Sequence, residues 1–188
     1  LEEGYVMVSR VAKSLSYPSR FILLAAMNPC PCGFFSDNSK PCHCNSTQIQ
    51  RYRAKISGPL LDRIDIHLEI PPVKPYELMG SVESESSKTI KERVEKARKK
   101  QLERFKDAGI YFNSQMNHKQ IRKICLINDE AKELLKMAIQ ELGISARAYD
   151  KILKVSRTIA DLTESEIILP EHISEAIQYR TLDRNLWL

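Results

Sequence analysis

Residues 17–33 read YPSRFILLAAMNPCPCG, and the run Phe21-Ile22-Leu23-Leu24-Ala25-Ala26-Met27 inside them decides the fold class. It is a short, continuous apolar stretch bounded by Pro18 on one side and by Asn28-Pro29 on the other. Such a run marks a strand buried on both faces of a parallel sheet, where helices cover each face. A second strand is expected at residues 64–70, Ile-Asp-Ile-His-Leu-Glu-Ile, with one face more polar, and Pro71-Pro72 stops it. Ahead of both, Tyr5 to Ser9 and Val11 to Leu15 are rich in β-formers and predict a hairpin turning near Ser9-Arg10. Strands buried on both faces need parallel neighbours, and this chain supplies few. Together with an opening Leu-Glu-Glu-Gly that lacks an initiator Met, this leads us to expect an excised piece of a longer sheet protein.

The remainder reads differently. Residues 47–56 predict a short helix capped by Ser46 or Thr47. Residues 73–88 hold Pro75, Gly80 and a Ser/Glu-rich patch, and read as a linker. Beyond them the pattern is helical. Residues 89–105 place Ile90, Val94, Ala97, Leu102 and Phe105 on roughly one stripe. A short helix is expected at residues 117–124. Asn128 caps a run ending at Gly143, Ser145 caps the next, and Pro170 sits where a first-turn proline belongs. The expected fold class is therefore α+β: a partial α/β core (hairpin plus parallel strands) over residues 1–72, the linker, and an all-α bundle over residues 89–188.

With 188 residues, the chain can hold one ordinary domain or two small ones. No stretch approaches the roughly 18 consecutive apolar residues of a membrane span, and no signal-peptide pattern opens the chain, so the expected setting is cytoplasmic without a membrane partner. The net charge of +5 is mild, and much of it lies around residues 93–104, where Glu residues alternate with the bases. That alternation reads as a solvated helix face with i,i+4 pairs before it reads as a nucleic-acid surface.

No G-x-x-x-x-G-K-[ST] loop occurs among the six glycines, and no apolar strand ends in paired acids suited to magnesium. Any nucleotide chemistry must therefore be completed by residues elsewhere. Three polar features remain. Asn28 follows the apolar strand, at the carboxyl end where open α/β sheets bind ligands, and an amide there can orient a water on a terminal phosphate; an ordinary Asn-Pro turn is the alternative. Arg63 lies in Gly58-Pro59-Leu60-Leu61-Asp62-Arg63-Ile64-Asp65, at a strand entrance. It reads as a surface ion pair or as a guanidinium reaching a neighbour's phosphate. Arg147 sits in the first turn of the helix capped by Ser145, where the helix dipole favours anions; that conflict suits either an anionic partner or a salt bridge to another helix.

Taken in order, YPSRFILLAAMNPCPCG, SGPLLDRIDI and SARAYDKILKVSRTIADL resemble the magnesium-chelatase-related (ComM/YifB-like) AAA+ ATPases, from the first residues to the last helices. The resemblance implies that Asn28 is the sensor-1 residue, that Arg63 is an arginine finger acting on the adjacent subunit's nucleotide, and that Arg147 is the sensor-2 arginine of a helical lid. It implies that the hairpin near residues 5–15 precedes sensor 1 and points to a central pore. ATP and Mg2+ are the cofactors implied for the full-length protein, with Walker motifs outside this chain, and a homo-hexameric ring is the implied assembly. Competence-related members are linked to DNA processing as helicase-like branch-migration motors, so DNA is a candidate partner.

The cysteines are a separate signal. Cys30-x-Cys32 and Cys42-x-Cys44 flank a polar loop, with His43 inside the second pair and Cys125 standing apart. Clustered cysteines in a cytosolic chain suggest metal more than disulfides, and two pairs of thiolates can fold around one zinc ion. The C-x-C spacing is less usual than C-x-x-C. Cys125 reads as a core residue. The rival to the ATPase-fragment reading is a zinc-loop module whose helical bundle binds nucleic acid or a protein.

Overall fold

A computed structural model describes residues 4–10, 13–35, 37, 40–73 and 84–180. They fall into two compact units, one running to Ile64 and the other from Asp65 onward. The fold is mixed α+β, as the sequence predicts.

In the first unit, β1 (Tyr5–Arg10) and β2 (Lys13–Pro18) pair antiparallel, from Tyr5 opposite Pro18 to Arg10 opposite Lys13. The hairpin is the predicted one, but its pairing continues through Arg10 opposite Lys13, past the turn expected near Ser9-Arg10. Ser9 and Ser14 face each other across the ladder, with their hydroxyls 2.9 Å apart. Helix α1 (Ser46–Arg53) starts one residue before the predicted range. Its cap is Asn45, neither Ser46 nor Thr47: the Asn45 side chain accepts from the Gln48 N–H while the Gln48 side chain accepts from the Asn45 N–H. Helix α2 (Gly58–Arg63) is capped by Ser57 and carries Pro59 in its first turn.

The two parallel strands expected of the core are not formed among the described residues. Residues 21–27 run without helix or ladder partner, and Ile22 and Leu24 are 96% and 95% exposed. The physical reason is the one that identified the run: a central strand exists only when neighbours on both sides take its N–H and C=O groups. Residues 64–70 likewise form no strand. Arg63 therefore closes a short helix, where a strand entrance was expected. From Asp65 on the segment belongs to the second unit, where the His67 N–H donates to the Tyr179 carbonyl at 2.8 Å.

The second unit is a helical bundle: α3 (Ser87–Arg104), a 3-10 turn (Asn113–Gln115), α4 (His118–Ile124), α5 (Asp129–Leu142), α6 (Ala146–Leu162) and α7 (Pro170–Gln178). Asn117, Asn128 and Ser145 cap α4, α5 and α6 through side-chain oxygens, and Gly143 ends α5 with φ +59. Helix α6 is the axis. Its Ile152, Leu153, Ile159 and Ala160 meet Ile121, Leu135, Ile168 and Ile173 in one core. The Ile168 N–H donates to the Leu126 carbonyl at 2.8 Å, making a lone parallel bridge between two loops. The stripe predicted for α3 is only partly buried. Ala97, Gln101 and Phe105 face inward, while Ile90, Val94 and Leu102 are 41–48% exposed. Most of the predicted linker, residues 74–83, lies outside the described residues.

Candidate functional site

The chain after Asn28-Pro29 doubles back at once. The Gly33 N–H donates to the Cys30 carbonyl at 3.0 Å, closing a tight turn over residues 30–33, and Gly33 with φ +85 carries the chain out of it in a conformation that suits glycine. The return path ends at Cys42 and Cys44, and Cys44 directly precedes Asn45, the cap of α1. As a result the sulfur atoms of Cys30, Cys32, Cys42 and Cys44 all lie within 4.8 Å of one another. Cys30 to Cys32 is 3.3 Å, Cys32 to Cys42 3.5 Å and Cys30 to Cys42 3.7 Å. Cys30 is buried and the other three are half-buried. Four sulfurs so arranged could hold a single metal ion.

The surroundings act unevenly on the thiols. Backbone N–H groups of Phe34 and His43 stabilise the Cys32 thiolate and draw its pKa down to about 6. Burial, with the neighbouring sulfurs of Cys32 and Cys30, pushes the Cys44 thiol up to about 12. Cations ring the same loop. Arg53 of α1 donates to the Pro29 carbonyl at 3.3 Å and stacks 4.9 Å from the Phe35 ring centre, and Lys40 sits 5.3 Å from that of Phe34.

Of the residues singled out in the sequence, the structure gathers the four cysteines, with Asn28 at the edge of their loop. The exposed Asn28 amide lies 3.9 Å from where a β-carbon at Gly33 would stand. Arg63, half-buried in the last turn of α2, donates to the Pro59 carbonyl at 3.0 Å. Arg147 is exposed in the first turn of α6, in the other unit, next to Ala148, whose N–H the Ser145 hydroxyl accepts at 3.1 Å. Cys125 is buried as expected, with its thiol pushed up to about 12 by burial.

One cluster escaped the sequence reading. Asp161 of α6, fully buried, accepts from Arg104 and from Asn113 at 2.8 Å each, and from Arg157 at 3.2 Å. Arg157 spends its other two nitrogens on the carbonyls of Glu166, at 2.7 Å, and Ser165, at 2.6 Å. Burial raises the Asp161 pKa, but the hydrogen bonds from Arg104 and Asn113 and the charges of Arg104 and Arg157 outweigh it and hold the carboxyl below its ordinary value. The available signal was the pair Arg157 and Asp161, one turn apart within the helix's buried stripe.

A helical bundle following a hairpin and the AAMNPCPC and GPLLDRID segments defines a class, and two family models match the chain in that order. The model of the magnesium chelatase subunit ChlI matches residues 1–78, and that of the ChlI carboxy-terminal region matches residues 84–180. The chain belongs to the magnesium-chelatase-related family, in its ComM/YifB-like branch. It is 41% identical to YifB of Escherichia coli over 187 residues, 99% of this chain and 36% of that protein. It is 40% identical to the competence protein ComM of Haemophilus influenzae over the same length and share. A Mycobacterium bovis relative is 28% identical over 180 residues, 96% of this chain and 35% of that protein. The chain thus spans about a third of the length of the curated relatives it matches. Among the described residues, no helix is long and apolar enough to cross a membrane.

Proposed function

We propose that this chain is the sensor and lid portion of a ring-forming AAA+ ATPase that couples ATP binding and hydrolysis to DNA remodelling or branch migration. The observation that carries the reading is the order of its parts: hairpin, Asn28, Arg63 and Arg147 follow one another through two consecutive family matches. In this reading residues 1–72 complete the ATPase core, residues 73–88 link, and residues 89–188 form the lid. The phosphate-cradling loop and the acids that hold Mg2+ belong to sequence outside this chain.

Each residue then has a chemical task. Asn28 orients the attacking water at the γ-phosphate, Arg63 reaches the nucleotide of the adjacent subunit in a homo-hexamer, and Arg147 contacts phosphate within its own subunit. The exposed apolar run at residues 21–27 supports the reading, since such a strand is made to be covered by further strands of one sheet. So does Arg147, whose place in the first turn of α6 sets a cation where the backbone favours anions. The competence role printed in the name of the Haemophilus influenzae relative makes DNA the substrate to try first. The setting is cytoplasmic.

The test is an ATPase assay on the full-length protein, with and without branched DNA. Turnover stimulated by branched DNA is the expected result. Absence of turnover in a protein that carries an intact Walker A loop would overturn the reading.

A further inference from the structure

We infer that Cys30, Cys32, Cys42 and Cys44 hold one zinc ion as a tetrathiolate, and that this ion takes the place of an apolar core in fixing the chain between Asn28 and α1. The proposal stands apart from the ATPase reading, because it rests only on the first unit's own chemistry.

Distance decides the type of centre. Zinc bonds thiolate sulfur at about 2.3 Å, so the sulfurs of a regular tetrahedron stand about 3.8 Å apart. The separations of 3.3, 3.5 and 3.7 Å, with every pair inside 4.8 Å, already bracket that edge. They are far too long for a disulfide, whose sulfurs sit about 2.05 Å apart. They also suit one ion better than a cluster of several irons, which spreads its thiolates more widely. Thiol–thiol hydrogen bonds are weak, so they give little reason to collect four sulfurs in one place.

The second observation is what the unit lacks. Among the described residues up to Ile64, the buried apolar side chains are Cys30, Ile49 and Leu61. So small a core does not by itself hold a loop and a short helix together, and small folds in that position use a metal as a staple. The ligands lie where a staple acts. One pair follows Asn28-Pro29 directly, and the other ends at the cap of α1. The outer groups agree with a dianionic centre: the N–H groups of Phe34 and His43 are turned to Cys32, and Lys40 of the loop and Arg53 of α1 pack on its Phe34 and Phe35 rings.

Loading balances without redox chemistry. Each thiol that is still protonated passes its proton to solvent as its Zn–S bond forms, four Zn–S bonds form in all, and no oxidation state changes. The half-buried Cys32, Cys42 and Cys44 leave the ion a route of entry.

The experiment is elemental analysis of the chain purified without chelators, joined to hydrogen exchange before and after zinc is stripped. One equivalent of zinc is expected, reduced to under about a tenth in the Cys30→Ser/Cys42→Ser double variant and kept in Cys125→Ser, because the tetrathiolate needs all four ligands. If the double variant fails to fold, cobalt substitution of the stripped wild-type chain decides, through the sulfur-to-metal charge-transfer band of a tetrahedral thiolate site. Stripping should speed amide exchange across residues 30–53 and leave α5 unchanged. Metal-free protein, iron in place of zinc, loss of the metal in Cys125→Ser, or no charge-transfer band on cobalt loading would each overturn the site. Unchanged exchange at residues 30–53 after stripping would overturn its positioning role.

Discussion

The two units of this chain bury their apolar residues in opposite ways. From Asp65 on, α5, α6 and α7 close over a continuous core of Ile121, Leu135, Ile152, Leu153, Ile168 and Ile173. Up to Ile64, the most apolar segment of the chain lies open, with Phe21 59%, Ile22 96% and Leu24 95% exposed. Helical hydrogen bonds are local, so a bundle needs only its own amphipathic stripes. A sheet shares its bonds between strands, so one strand cannot satisfy itself. The first unit therefore carries residues whose meaning depends on other surfaces, while the described helices of the second bury a core among themselves. Each prediction below strikes at one side of that contrast.

The largest effect is expected from Arg63→Ala in the full-length protein. An arginine finger stabilises charge that develops only in the transition state, so ATP turnover should fall roughly 10³-fold while nucleotide binding stays nearly intact. The Pro59 carbonyl contact offers the competing account, in which Arg63 merely closes α2. Steady-state turnover within a few-fold of wild type would favour that account. A mixed ring sharpens the test: a Walker B-dead subunit that still supplies Arg63 should partly rescue its neighbour.

The next effect belongs to the second unit. Asp161→Ala leaves Arg157 charged and buried with its carboxylate gone, and breaking such a pair costs about 3–5 kcal/mol. Denaturant unfolding of the chain should show it, with the zinc content unchanged. The same carboxylate sets an acid limb. Its folded pKa is depressed, so its contribution is fully present above the ordinary carboxylate value of about 3.9 and is lost as pH falls through the lower folded value. Asp161→Asn should flatten that limb below about pH 4. An acid limb as steep as that of wild type would remove Asp161 from the account.

What the sequence made legible follows the same division. Caps, stops and the first-turn Pro170 are local signals, and Asn128, Gly143, Ser145 and Pro170 all stand where they were expected, while Asn117, read as the first residue of its helix, is that helix's cap. The hairpin was legible too, and only its turn was misplaced. The strands at residues 21–27 and 64–70 were inferred from apolar pattern alone, and pattern says what a segment is suited to without supplying its partners. The α3 stripe failed for a related reason. Gln101 and Arg104 turn inward because Arg104 answers Asp161 on another helix, a pairing that no helical periodicity encodes. The cysteine cluster was legible in composition and spacing, while the turn at Gly33 that converges the sulfurs was visible only in three dimensions.

The smallest effect is also the most discriminating, because it applies one chemical change to both units. Asn45 and Asn128 do the same work: the side-chain oxygen of each accepts, at 2.9 Å, the N–H three residues on. Replacing either with Ala orphans that donor at a cost of about 1 kcal/mol. In Asn128→Ala the loss should appear directly as lowered stability of the helical unit, because α5 packs on the common core through Ala131 and Leu135. In Asn45→Ala it should leave that unit untouched. Helix α1 buries Ile49 alone, and its cap follows Cys44 immediately, so with zinc bound as proposed, ordering the cap and closing the site would be one event. The expected readout is therefore zinc affinity, weakened about fivefold for that 1 kcal/mol. Competition titration with a chromogenic chelator measures it. Should Asn45→Ala lower the denaturation midpoint of α5 and α6 as much as Asn128→Ala does, the two units fold as one, and the contrast between them fails.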